Sequence, residues 1–328
     1  MTSDIARPRI VVTRALPEAA LAPLHEVGEV WVSPHDRPLS PAELRDAVAC
    51  ATAVVTMLSD RIDTDVLAAA GDELRIVANT AVGYDNLDVR AIARHGAVAT
   101  NTPGVLIDAT ADLTLALLLA VTRRVAEGDR LIRSGAAWTW DVSFMLGTGL
   151  QDKRLGIVGM GHIGRAVARR AAAFGMEIVH SSRRDSRLDS RAEQLSLPVA
   201  LDELLETSDV VSLHCPLTPQ TRHLIDAVAL KRMKPTAFLI NTARGPVVNE
   251  GALVQALAHG TIAGAALDVY ENEPAVHPGL RTLDNVVLAP HLGSATLETR
   301  SRMAQLAADN VIAVLTGKDA ITPISVPG

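Results

Sequence analysis

The chain has 328 residues, 48% of them hydrophobic and 21% charged, with a formal net charge of −6. Such a composition is globular, long enough for two domains, and argues against disorder. It lacks the broad basic field that would hold a polyanion, so nucleic acid is not an expected partner, and its longest uninterrupted apolar run, Leu115–Val121, is far short of a membrane span. Cys50 and Cys215 are too few and too distant in sequence for a disulfide framework or a metal site, which fits a reducing compartment. The polar start, Met1 to Arg9, lacks the charged and then apolar regions of a signal peptide. A soluble, cytoplasmic protein with no bound metal is the expectation.

Strand and helix patterns alternate along the whole chain, which predicts parallel sheets covered by helices. In the first part, Arg9–Thr13, Ala53–Met57, Arg75–Ala78 and Ala97–Thr100 read as strands, and Leu16–Val27, Ser40–Cys50, Asp63–Ala70 and Asp88–His95 as helices. Asn101-Thr102-Pro103-Gly104 breaks the pattern, and Leu106–Arg133 reads as one or two long helices rich in Leu and Ala. Six further strands are expected at Leu155–Val158, Glu177–Ser181, Val210–His214, Ala237–Asn241, Gly264–Val269 and Val286–Ala289, the number in a doubly wound dinucleotide fold. Thr296–Leu315 is helical, and the tail after it has no strand to join. The predicted fold is α/β, with two doubly wound parallel-sheet domains. Residues 102–295 form a Rossmann domain inserted into a discontinuous flavodoxin-like domain of 1–101 and 296–328, because the last helix packs back on the first part.

Gly159, Gly161 and Gly164 stand in G-x-G-x-x-G spacing, after an apolar run and before a helix-like segment opening at His162 and Ile163. The first glycine suits the tight turn, the second a close backbone approach to a pyrophosphate, and the third close packing of helix on sheet. The phosphates would sit at the helix N-terminus, where unpaired N–H groups and the dipole favour an anion. At the end of the second strand of such a fold, an acidic residue would bind the ribose 2′-hydroxyl of NAD. Here Ser182, Arg183 and Arg184 occupy that turn, and Asp185 comes only after them. A guanidinium pair suits a 2′-phosphate, so NADP(H) is the expected cofactor, the alternative being a solvated surface turn.

Arg244, Glu273 and His291 each follow a predicted strand of the second sheet. Ligands of open α/β sheets bind outside the carboxyl ends of strands, so the three positions can converge on one crevice. Individually each is an ordinary loop residue: an arginine in a surface salt bridge, a solvated glutamate, a satisfied histidine.

Together they carry a resemblance. Val82-Gly83-Tyr84-Asp85-Asn86, Asn101-Thr102-Pro103-Gly104, the glycine fingerprint, His214-Cys215-Pro216-Leu217, Asn241-Thr242-Ala243-Arg244-Gly245, Ala266-Leu267-Asp268-Val269 and Pro290-His291-Leu292-Gly293-Ser294-Ala295-Thr296 resemble, in order, the D-isomer-specific 2-hydroxyacid dehydrogenase family. Thr56-Met57-Leu58-Ser59-Asp60 and the Ser182-Arg183-Arg184 turn are most similar to its glyoxylate/hydroxypyruvate reductase branch, including the type that also takes 2-ketogluconate.

The resemblance implies His291 as general acid, Glu273 as its carboxylate partner and Arg244 as the grip on the substrate carboxylate. It implies substrate contacts at Leu58, Ser59, Val82, Gly83 and Trp138. Along the cofactor it implies Thr110, Met160, His162, Ile163, Cys215, Pro216, Thr221, Thr242, Ala243, Asp268 and Gly293 besides the fingerprint glycines. The stretch Asp108–Arg133 resembles the family's dimerisation arm, so a homodimer is expected, ordinary core packing being the alternative. Formate is disfavoured because Glu273 stands where formate dehydrogenases carry glutamine, and phosphite because no lysine lies near Asn79-Thr80-Ala81-Val82. A 3-phosphoglycerate dehydrogenase is disfavoured by the absent regulatory domain and by the NADP-type turn. A dinucleotide-sensing binding protein on the same fold is the alternative of another class.

Overall fold

A computed structural model describes residues 7–182 and 195–326. Arg183 and Arg184 lie outside the described residues. The chain divides into two compact units, residues 1–106 with 296–328, and residues 107–295.

Among the described residues the first unit holds five strands, β1 (Arg9–Val12), β2 (Glu29–Val32), β3 (Ala53–Thr56), β4 (Ile76–Asn79) and β5 (Val98–Thr100), all parallel in the order β2-β1-β3-β4-β5. That is the flavodoxin-like order. Helices α1 (Glu18–Val27), α2 (Pro41–Val48), α3 (Thr64–Ala70) and α4 (Val89–Arg94) connect the strands. Local chemistry sets their starts: Ser40 and Glu43 form a capping box with Pro41 in the first turn, and Asp63 and Asp88 cap α3 and α4. β3 and β4 are buried at every residue, as strands covered on both faces must be. β2 was not expected from the sequence. It is an edge strand with an exposed Glu29 and three half-buried residues, so no continuous apolar run marks it.

The last helix of the chain, Leu297–Leu315, belongs to this unit, capped by Thr296 and packed on α1, β3 and β4 through Ala304, Ala307, Ala308 and Val311. The tail after it does make one sheet contact, an isolated antiparallel bridge between Pro323 and Thr100.

The second unit opens with α5 (Ile107–Thr122) and α6 (Val125–Arg133), which divide the long apolar stretch at Arg124, a residue in the left-handed region (φ 55°). Its strands are β6 (Arg154–Val158), β7 (Glu177–Ser181), β8 (Leu197–Pro198), β9 (Val210–Leu213), β10 (Phe238–Asn241), β11 (Gly264–Leu267) and β12 (Val286–Leu288). All are parallel, in the order β12-β11-β10-β9-β6-β7-β8. This is the Rossmann order, which reverses between β6 and β9, with a seventh strand added. β8, a two-residue exposed edge, makes seven strands where the sequence suggested six. α7 (His162–Ala173) follows β6 and packs on α5, and the other α-helices of this unit among the described residues are α8 (Leu201–Thr207), α9 (Ala227–Arg232) and α10 (Glu250–Ala258). Ala111, Leu115, Leu117, Leu118 and Val121 of α5 belong to this unit's core, so the apolar content of that helix is core packing, not exposed surface. In this part of the chain the exposed apolar side chains follow it, Val125 and Ile132 on α6 and Trp138, Trp140, Val142 and Leu146 after it.

Candidate active site

The fingerprint turn joins β6 to α7. Gly159 has φ 99°, a conformation costly for other residues, and a Cβ there would lie 2.7 Å from the peptide joining His214 to Cys215, at the end of β9. A Cβ on Gly164 would stand 2.3 Å from the Gly159 carbonyl oxygen, so helix and turn are in backbone contact. At Gly161 the same atom would meet nothing within 4 Å. The middle glycine therefore faces open space, and as the N-cap of α7 it contributes no side-chain cap, leaving the first N–H groups of the helix for an external acceptor. A dinucleotide pyrophosphate fits that cradle. Met160 is buried beneath the turn, and His162 and Ile163 open the helix above it. Ser182 is exposed just past the end of β7.

Arg244, Glu273 and His291 follow three adjacent strands, β10, β11 and β12. Asn241 braces the first loop: its side-chain oxygen accepts from the Ala243 N–H at 3.0 Å and its amide donates to the Arg244 carbonyl at 3.0 Å. Arg244 donates through Nη1 to the Ala243 carbonyl at 2.9 Å. Gly245 is next because a Cβ there would run into the Tyr270 carbonyl, 1.8 Å from its carbon.

His291 Nδ1 and Glu273 Oε2 are 2.7 Å apart, each side chain about one-third exposed. The other Glu273 oxygen accepts from the Tyr270 N–H at 2.9 Å. Burial works to raise the Glu273 carboxyl. The His291 hydrogen bond and charge, the Tyr270 N–H and the Arg244 guanidinium outweigh it and hold the carboxyl below its ordinary value. With Nδ1 engaged, Nε2 is the nitrogen left for a reacting group.

His291 itself has φ 53°, unusual for a residue with a Cβ. Asp268 holds it there. The His291 N–H donates to the Asp268 carbonyl at 2.9 Å, and the two carboxylate oxygens accept from Leu292 N–H at 2.6 Å and Gly293 N–H at 2.8 Å. Asp268 is almost fully buried, and burial raises its carboxyl despite these donors and the nearby imidazole. Thr110 donates to the Gly293 carbonyl at 3.0 Å, and the Thr242 hydroxyl pairs with Thr114 at 2.9 Å. Thr221 donates to the Pro216 carbonyl at 2.7 Å, fixing the loop after Cys215. His214 is kept neutral, its pKa pushed down by burial to about 4. Among the described residues no group of His, Cys, Asp and Glu could hold a metal ion, and no helix is long and apolar enough to cross a membrane.

In the first unit, Leu58 is half-buried and Ser59 exposed, in a loop that Asp60 pins by accepting from the Met57 N–H at 2.8 Å and the Thr13 hydroxyl at 2.5 Å. The Val82 and Gly83 carbonyls are taken by Asn101 and Asn79, at 2.8 and 2.9 Å, while among the described residues their N–H groups have no protein acceptor. Trp138 is 52% exposed and stacks on Phe144 with ring centroids 5.9 Å apart. Sequence reasoning missed the bracing groups Asn241, Tyr270, Asn79 and Asp60. The two asparagines end apolar strands, where a buried amide is a signal for a loop brace. Tyr270 acts through its N–H, which no side-chain pattern reveals.

A family model for the D-isomer specific 2-hydroxyacid dehydrogenase NAD binding domain matches residues 115–293. The chain belongs to this family. It is 48% identical over 318 residues to a glyoxylate reductase of Thermococcus onnurineus, covering 95% of this chain and 94% of the relative. A glyoxylate reductase of Pyrococcus furiosus is 48% identical over the same shares of both chains. Among solved structures, a Thermus thermophilus protein superposes with a TM-score of 0.89 at 45% identity, over 97% of this chain and all of that one. An NADPH-dependent glyoxylate/hydroxypyruvate reductase from Sinorhizobium meliloti, in complex with NADP and malonate, gives 0.83 at 34% identity, over 98% and 97% of the two chains.

Proposed function

We propose that this protein reduces small 2-oxo acids, glyoxylate and hydroxypyruvate, to D-2-hydroxy acids with NADPH. The 2.7 Å pairing of His291 with Glu273 carries the reading, in a chain whose curated relatives are named glyoxylate reductases. Reduction of a carbonyl needs a proton for its oxygen, and an imidazolium backed by a carboxylate is suited to give one from Nε2. Arg244 grips the substrate carboxylate and places fixed positive charge where negative charge develops. In the first unit, Leu58, Ser59, Val82 and Gly83 are assigned to substrate contacts, as the family resemblance implies. Asp268 orients the His291 loop.

The cofactor, when bound, supplies a hydride to the carbonyl carbon. Its pyrophosphate is assigned to the turn of Gly159, Met160, Gly161, His162, Ile163 and Gly164. Its remaining contacts are assigned to Thr110, Cys215, Pro216, Thr221, Thr242, Ala243, Asp268 and Gly293. The choice of NADP(H) rests on Ser182, Arg183 and Arg184, where no carboxylate stands to repel a 2′-phosphate. In this reading residues 102–295 bind cofactor, and 1–101 with 296–328 bind substrate.

A homodimer in the cytoplasm completes the proposal. Its support is no longer α5 but α6, which buries none of its residues, and the segment after it, where Trp140, Val142 and Leu146 are 76%, 82% and 66% exposed. Trp138 is assigned to the substrate site of the partner copy. Steady-state assays with NADPH against glyoxylate, hydroxypyruvate and 2-ketogluconate test the reading. Turnover giving only the D-product is expected, whereas cofactor binding without turnover would establish a sensor, and equal turnover of L-hydroxy acids would refute the stereochemistry.

A further inference from the structure

A second histidine–carboxylate pair lies two residues before Glu273. His223 Nε2 and Glu271 Oε1 are 2.5 Å apart, the glutamate side chain 18% exposed. The other Glu271 oxygen accepts from the Glu250 N–H at 3.0 Å, in the first turn of α10. Glu250, itself buried, returns the contact: its Oε1 accepts from the Glu271 N–H at 2.7 Å. Both carboxylate oxygens and the amide of Glu271 are thus committed, to two elements outside its own loop. Burial works to raise the Glu271 carboxyl, and His223, the Glu250 N–H and the Arg222 charge together hold it below its ordinary value.

The loop after β11 carries no regular structure until residue 278, yet it must present Glu273 to His291 within a few tenths of an ångström. On one side it is anchored by Asp268 and by the Tyr270 N–H to Glu273, and on the other by the Ala275 N–H to the Asn272 carbonyl at 2.8 Å. Besides Glu273 itself, two side chains of the loop, among the described residues, reach distant chain: Tyr270, whose hydroxyl donates to the Ala289 carbonyl at 2.9 Å, and Glu271, which lies between those anchors and next but one to Glu273. We propose that Glu271, gripped by His223 and by the start of α10, is a positioning residue that sets the Glu273–His291 contact. The inference rests on the reading of that pair as the proton donor.

Charge and geometry can be separated because the two members of the Glu271–His223 pair differ in charge type, one a carboxylate and the other an imidazole. Glu271→Gln removes a negative charge, and by its field alone would lower the proton affinity of His291. His223→Asn removes a partner that is positive when protonated, and by field alone would raise it or leave it. Asparagine also tolerates the left-handed backbone that His223 adopts, at φ 52°. The charged groups facing the two pairs, Asp268, Arg244, Glu250 and Arg222, are the same in both variants.

The test titrates His291 by NMR in the full-length wild type and both variants, with Glu273→Gln as the reference for a lost pair, and measures kcat/KM for glyoxylate reduction with NADPH against pH. The clamp predicts that both variants move the His291 titration in the same direction as Glu273→Gln does, and by less. The limb of the reduction profile should move to lower pH with it, while the KM for NADPH stays within about twofold. Opposite shifts in the two variants, a shift in Glu271→Gln with none in His223→Asn, or a lowered melting temperature with an unmoved profile, overturn the proposal. If Glu273→Gln shifts the profile and neither clamp variant does, the clamp alone fails. If Glu273→Gln leaves it unmoved as well, the proton-donor pair fails and the clamp with it.

Discussion

Replacing Gly161 and Gly164 separately by alanine distinguishes cofactor binding from folding, because the structure gives the two methyl groups opposite surroundings. At Gly164 the added carbon would lie 2.3 Å from the Gly159 carbonyl oxygen, with the Ile157 side chain at 3.2 Å. That is roughly 1 Å short of van der Waals separation, so α7 must lift off the turn. Overpacking of this kind costs about 1–3 kcal/mol, or about 2–4 °C of melting temperature per kcal/mol in a domain of this size. At Gly161 the methyl meets no protein atom, and φ −77° with ψ −164° is ordinary extended backbone. The only intrinsic cost is a poorer N-cap, about 1 kcal/mol or less. The methyl nevertheless occupies the space assigned to the pyrophosphate. Loss of a single charge-assisted hydrogen bond, about 1.5–3 kcal/mol, weakens NADPH by roughly 10- to 150-fold. Circular dichroism melting and NADPH fluorescence titration read the two effects independently. Gly161→Ala should lose cofactor with little loss of melting temperature, and Gly164→Ala should lose both. Wild-type NADPH affinity in Gly161→Ala would refute the placement of the phosphates on this turn.

Neutralising Arg183 and Arg184 should weaken NADPH relative to NADH by at least about tenfold, and adding Ser182→Asp should invert the preference; equal weakening of both cofactors would leave the arginines as a surface turn. Arg244→Ala should lower kcat/KM for glyoxylate by about 10²–10³, the scale of a lost preorganised charge, with cofactor affinity retained in fluorescence titration. Sedimentation should show a dimer at micromolar concentration, and Val142→Asp, at a side chain 82% exposed in the single chain, should shift it toward monomer. Asp209 accepts from the Arg154 N–H at 2.9 Å and the Lys234 ammonium at 3.0 Å, which together outweigh burial and hold its carboxyl below the ordinary value. A depressed carboxyl stabilises the fold above its unfolded pKa of about 3.9 and loses that contribution as pH falls through the folded value. Asp209→Asn should therefore lower the melting temperature at pH 7 and converge with wild type in strong acid.

The alternation of buried strands and capped helices was legible because a parallel strand covered on both faces is a near-continuous apolar run, as in Ala-Val-Val of β3 and Phe-Leu-Ile of β10. The same rule hides edge strands. β2 starts on an exposed glutamate, and β8 is two exposed residues, so neither presents a run to read. The leucines of α5 misled for a related reason: a helix that packs on α7 and on β10, β11 and β12 needs apolar residues around most of its girth, which in sequence resembles an unpartnered surface. Strand-end spacing put Arg244, Glu273 and His291 after three strands, and the structure makes those strands neighbours and pairs His291 with Glu273. The braces were not legible, because Tyr270 and the loop of His291 to Gly293 act through backbone N–H groups that any residue supplies.

The dependence of the loop after β12 on Asp268 explains why an acidic residue is kept where burial works against its charge. His291 sits in a left-handed conformation that costs about 1–3 kcal/mol for a residue with a side chain, and such strain persists only where neighbours over-determine it. Three bonds to one residue do so: the Asp268 carbonyl takes the His291 N–H, and its two carboxylate oxygens take the next two N–H groups. A neutral amide of the same shape has one oxygen in place of two, so it would leave one of those donors unpaired in a buried turn, at about 1–3 kcal/mol. The conformation also places the imidazole against Glu273, so the cost of burying Asp268 is offset in the geometry of that pair. A strained histidine, a buried aspartate holding its backbone, and a glutamate holding its ring form one arrangement, in which the imidazole favours the charged form of both carboxylates and offsets their mutual repulsion.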